Sequence, residues 1–149
     1  MNPFDLKAVL LEKHAQHVAI IHFPIALLLV SFLFDLLALW RKSPGLAAAA
    51  RYNLFGAAVS ALFAVGTGLA AWQWLLNGVA LSGELLLHLS FALASFVMLI
   101  GLSFWRRTFP DHGQLMGRRY LLVAFIACVL ISLTGHMGGF VSGLNITGH

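Results

Sequence analysis

Three histidines, His22, His88 and His136, stand inside three different apolar stretches of the chain. A titratable ring in hydrocarbon is costly, so it normally faces the protein interior and has a role there. Neutral imidazole is the commonest metal ligand, and metal or cofactor sites in helical bundles are built from facing helices. His17 precedes His22 by five residues, at the edge of the same stretch. Taken singly, each ring is explained by a hydrogen bond to water or backbone at an interface. Three on three helices at one depth point to a shared site.

Haem is the leading cofactor expected from these residues. Bis-imidazole ligation needs one histidine on each of two facing helices, with an apolar slot lined by small residues between them. Gly66, Thr67 and Gly68 on the histidine-free second stretch, and Gly135, Gly138 and Gly139 around His136, can make that room. Small residues also serve plain helix packing in membranes. The expected iron ligands come from His22, His88, His136 and His17, with the pair left open; one haem b is expected, and two are compatible with four imidazoles. The competing site is zinc or copper held by the same four histidines, with Glu84 as an oxygen ligand. No HxxxH or HExxH pair supports it, and His17 and His22 lie about 140° apart on an ideal helix. No CxxCH is present for covalent haem attachment, and the one cysteine, Cys128, allows no internal disulfide.

The elements that must position these rings are membrane spans. Of 149 residues, 60% are hydrophobic and only 9% charged, with a mean hydropathy of +0.91. A soluble domain carries about a quarter charged residues. Four apolar runs, roughly 18–40, 52–76, 85–105 and 120–141, are each long enough to cross about 30 Å of hydrocarbon as a helix. Lys42-Ser43-Pro44-Gly45, Asn77-Gly78 and Pro110-Asp111-His112-Gly113 mark the breaks, and Ser82 is placed to cap the third helix, with Glu84 in its first turn. Short connections make neighbouring helices antiparallel. The expected architecture is therefore all-α: one domain over 1–149, an up-down four-helix membrane bundle. Asn2, Pro3 and the apolar residues Leu6, Val9, Leu10 and Leu11 predict a short amphipathic helix on the membrane surface before the first span. Pro24 predicts a kink or fresh start near His22.

Charge placement predicts orientation. Arg41, Lys42, Arg51, Arg106, Arg107, Arg118 and Arg119 flank the first and third connections, seven basic residues against Lys7 and Lys13 on the other side. The positive-inside rule puts the seven in the cytoplasm and both termini outside; in a Gram-negative cell the membrane would be the inner (cytoplasmic) one and the outside the periplasm. The start does not read as a cleaved signal peptide. The net charge of +4 is spent on orientation, so no nucleic-acid partner is expected. His22, His88 and His136 then fall in the outer leaflet, within roughly 6–8 Å of the surface by helical rise. Asp35, in the opposite half, is expected to pair with Arg51 or Arg107, and Trp40, Trp105, Tyr52, Tyr120, Trp72 and Trp74 to form interfacial belts.

His17-Val-Ala-Ile-Ile-His22-Phe-Pro-Ile-Ala-Leu-Leu resembles the opening of an uncharacterised group of small bacterial four-helix membrane proteins, a domain of unknown function. Phe34-Asp35-Leu36-Leu37, Gly66-Thr67-Gly68, His88 and Thr134-Gly135-His136-Met137-Gly138-Gly139 continue the likeness over nearly the whole chain. Relatives often carry a further histidine after the paired glycines, where this chain has Phe140-Val141-Ser142-Gly143. Some relatives are joined to c-type cytochrome domains, which implies electron transfer. The resulting expectation is a b-type haem subunit, more an electron carrier than a stand-alone enzyme. It would sit in the lipid bilayer beside other membrane or cytochrome subunits and move electrons between quinol and an outer-side redox partner. The alternatives are a non-catalytic accessory subunit and a zinc- or copper-binding membrane protein or transporter; against transport, only Asp35 continues a polar path inward.

Overall fold

A computed structural model describes residues 13–74, 76–108 and 115–141. The expected surface helix before the first span lies outside the described residues, as do Pro110–Gly113 and His149. Four helices follow in chain order: α1 Lys13–Arg41, α2 Pro44–Trp74, α3 Gly83–Arg107 and α4 Arg118–Val141. All four are long and apolar enough to cross a membrane. In hydrocarbon every backbone amide must find its partner within the segment, and an uninterrupted helix is the solution each apolar run adopts.

The ends sharpen the expected boundaries. Helix α2 begins at Pro44, eight residues before the run read from hydropathy, so the first connection shrinks to Lys42 and Ser43. Pro44 takes the first helical position, where its missing amide costs nothing. The Ser43 hydroxyl accepts the amide of Leu46 at 3.4 Å, and Lys42 turns the chain at φ 48°. After α2 the chain reverses through Asn77 and Gly78, both left-handed, with the Trp72 indole donating to the Val79 carbonyl at 3.0 Å. Ser82 takes the extended backbone of a cap for α3, but its side chain makes no capping bond. Helix α1 runs unbroken through Pro24, so the chain makes no fresh start there.

Contacts set the topology. Ser31 Oγ donates to the Ala50 carbonyl at 2.8 Å, and a Cβ on Gly56 would meet Leu27 at 3.3 Å, so α1 and α2 run antiparallel. Phe32 stacks against Phe125, and Arg106 reaches Tyr120 at 3.3 Å, which makes the α1–α4 and α3–α4 pairs antiparallel too. The helices form a ring in chain order, with α1–α2 and α3–α4 the most extensive pairings. Alanines explain the first: Ala47, Ala50, Ala57, Ala58 and Ala61 are buried along α2 and bring the backbones close.

One polar group joins all four helices. Arg106 of α3 donates through Nη1 to Asp35 Oδ2 of α1 at 2.6 Å and to the Tyr120 hydroxyl of α4. Through Nη2 it donates to the Ala47 carbonyl of α2 at 2.8 Å. Asp35 and Arg106 are each 2% exposed. The partner of Asp35 is thus Arg106 rather than Arg51 or Arg107. Tyr120 belongs to this network and not to an interfacial belt. Removing one member of a buried pair strands the other charge and costs about 3–5 kcal/mol. Asp35→Leu and Arg106→Leu should each depress the thermal midpoint in detergent sharply, and the double variant by less than their sum. A double-mutant cycle with no coupling would contradict this network.

Candidate functional site

Buried side chains end abruptly along every helix. The last on the histidine side are Pro24 on α1, Ala61 on α2, Ser95 on α3 and Ile131 on α4. His17, His22, His88 and His136 all lie beyond that layer, where the described residues are half-buried or exposed. Among the described residues, full burial is confined to the arginine side of that layer.

Contacts give the histidines a common register. The His88 ring packs on α4 where a Cβ on Gly138 would stand 3.2 Å from its Cε1. Ile25 of α1 meets Gly135 of α4 in the same way, at 3.1 Å. His22 lies one turn outward from Ile25, and Gly138 one turn outward from Gly135. His22, His88 and His136 therefore share one level along the bundle, within about one turn of 5.4 Å. His17 stands further out and against α2, where a Cβ on Gly68 would sit 3.0 Å from its Cε1.

Two of the rings have their Nδ1 proton placed by a backbone carbonyl. His88 Nδ1 lies 3.1 Å from the Thr134 carbonyl, and His22 Nδ1 lies 2.6 Å from the Val18 carbonyl of its own helix. A carbonyl only accepts, so in both rings Nδ1 carries a proton and donates it. His17 Nδ1 lies 3.0 Å from Thr67 Oγ1. That hydroxyl also lies 2.9 Å from the Phe63 carbonyl and 3.1 Å from the Ala64 carbonyl. Thr134 is doubly engaged: its hydroxyl donates to the Leu130 carbonyl at 2.9 Å and accepts from the buried Ser95 at 3.0 Å. His136 is exposed and meets Phe140 edge-on, centroids 5.0 Å apart.

The expected site residues thus divide. Gly68 receives His17, whereas Gly66 is exposed with nothing within 4 Å of a Cβ, so its open side faces away from the other helices. Sequence reading singled out the glycines of α4 but not Gly138 as the seat of His88, nor Thr67 and Thr134 as hydrogen-bond partners of the rings. Their placement beside the histidine motifs was the signal. Cys128 is buried and takes no part. Among the described residues no three His, Cys, Asp or Glu side chains form a group able to hold a metal ion.

Fold and site define a four-span α-helical membrane protein with hydrogen-bonded imidazoles at one end of the bundle. The chain belongs to the family described as Predicted membrane protein (DUF2231), whose model matches residues 13–143. No curated protein and no solved structure matches it.

The glycine contacts make a direct prediction. Overpacking a tight site costs typically 1–3 kcal/mol. Gly138→Ala and Gly68→Ala should therefore lower thermal stability in detergent by about 1 kcal/mol or more, while Gly66→Ala should be neutral or mildly stabilising through its helix propensity. Equal effects at all three glycines would show that His17 and His88 are not seated as described.

Proposed function

We propose that this chain is a b-type haem-binding electron-transfer subunit, its iron held by two imidazoles from the set His22, His88, His136 and His17. The observation that carries the reading is the hydrogen bonding of His22 and His88 through Nδ1 to backbone carbonyls. Ligating histidines are almost always held this way: the bond fixes the tautomer, orients the ring and raises the basicity of Nε2.

The donor set fits the group in two further respects. Imidazoles carried on different helices are donors that would hold a b-type haem. Gly68 and Gly138 leave room for the rings of His17 and His88, and among the described residues no fully buried layer lies at that end of the bundle. When bound, haem supplies one-electron oxidation and reduction. The chain's own part would be to orient the imidazoles through their hydrogen bonds. Thr67 and Thr134 act as positioning residues, since each anchors a ring without offering a ligand of its own.

Charge placement supports a site on the outer side of the inner membrane, because the arginine-rich connections lie at the opposite end. Membrane quinol and an outer-side redox protein are the reactants that such a position suits. Expression with ample haem and purification in mild detergent should give a Soret band, with sharpened α and β bands on dithionite reduction. Alanine substitution at each of His22, His88, His136 and His17 should remove the low-spin spectrum at two positions. A folded, monodisperse protein without a Soret band would reject this function.

A further inference from the structure

The contact between Asp35 and Arg106 fixes the rotation of α1 and α3, and that rotation carries outward to the histidines. His17 precedes Asp35 by eighteen residues, and His88 precedes Arg106 by the same number. Eighteen residues make about five turns, or about 27 Å, so each histidine leaves its helix in the direction of the charged residue below it. Asp35 and Arg106 meet at 2.6 Å inside the bundle, and α1 runs unbroken through Pro24. Buried residues mark the same line in between: Pro24, Leu28 and Ser31 on α1, Ser95, Leu99 and Leu102 on α3. Gly138 follows the buried Tyr120 by eighteen residues, and Gly68 follows the buried Ala50 by eighteen. Around the ring of helices the histidine end therefore alternates His17, Gly68, His88 and Gly138. The imidazoles stand on one diagonal of the bundle and the glycines on the other.

We propose that His17 and His88 are the two axial ligands of the haem and that His22 and His136 do not touch the iron; this rests on the b-type haem reading above. Burial separates the same two pairs, since His17 and His88 are half-buried and His22 and His136 exposed. Helical geometry gives the reason. His22 lies thirteen residues from Asp35 and His136 sixteen from Tyr120, which turns them about 140° and about 160° from the inward line of their helices. Each inward ring is seated on a glycine of an adjacent helix. A Cβ on Gly68 of α2 would stand 3.0 Å from His17 Cε1, and one on Gly138 of α4 would stand 3.2 Å from His88 Cε1. Each is also anchored through Nδ1 to that same helix, His17 at Thr67 Oγ1 and His88 at the Thr134 carbonyl. His22 instead turns back to the Val18 carbonyl of its own helix. Axial ligands approach iron from opposite sides, which is the arrangement that inward rings on diagonal helices provide.

The test is visible and electron paramagnetic resonance spectroscopy of the full chain, expressed with ample haem and purified in mild detergent. Wild type should be low-spin. His22→Ala and His136→Ala should leave that spectrum unchanged. His17→Ala and His88→Ala should each convert it to high-spin or lose the Soret band. Free imidazole, added with haem, should restore the low-spin spectrum in those two variants, which separates a missing ligand from a distorted fold. Should either variant fail to fold, the exposed positions decide the matter: loss of the low-spin signal in His22→Ala or His136→Ala overturns the pairing. A low-spin spectrum that survives in folded His17→Ala or His88→Ala overturns it equally. A wild type without a Soret band rejects the electron-transfer reading and the pairing together, whereas a low-spin wild type whose ligands map elsewhere rejects the pairing alone.

Discussion

The guanidinium of Arg106 is the constraint around which the bundle is arranged. A cation inside an apolar helix bundle must be both neutralised and hydrogen-bonded. Asp35 neutralises it, and Tyr120 and the Ala47 carbonyl accept further hydrogen bonds, so each of the other three helices supplies one partner. Meeting those partners sets the rotation of every helix at once. On α1 the buried face runs through Pro24, Leu28, Ser31, Asp35 and Ala38; on α3 it runs through Ser95, Leu99, Leu102 and Arg106. A membrane bundle gains little from apolar burial against lipid, so polar contacts and close backbone packing must do what the hydrophobic effect does in water. Ser31 on the Ala50 carbonyl and the alanine row of α2 do so next to Arg106.

The histidines lie beyond the last buried described residue of their helices, and their hydrogen bonds include those to Thr67, Thr134 and Val18. The helices pair as α1–α2 and α3–α4, and the seams between the pairs are less extensive than the pairings themselves.

Much of the architecture was legible in the sequence because hydrocarbon allows a segment of this length few alternatives. The four helices, the reversal at Asn77-Gly78 and the shared level of His22, His88 and His136 follow from run length and helical rise. The start of α2 was missed because Ala47–Ala50 and Arg51 blur a hydropathy boundary that Pro44 marks sterically. The partner of Asp35 was missed among three arginines. The spacing of Ser95, Leu99, Leu102 and Arg106, four, three and four residues apart, placed Arg106 on the face that also carries the small polar Ser95.

Sequence alone determined that the chain is a four-span membrane bundle and that imidazoles gather near one of its ends, because burial of the peptide backbone in lipid leaves only helices and a fixed rise per residue. Tertiary structure decided which way each side chain faces: His17 toward Thr67, His88 toward Thr134, Gly66 outward, Arg106 inward. The reason is physical. In water a helix declares its buried face by apolar residues on one side, but here lipid-facing positions such as Phe23, Leu62, Val97 and Leu122 are as apolar as the core. Helix rotation is then set only by the few polar and small residues that must find one another across the bundle.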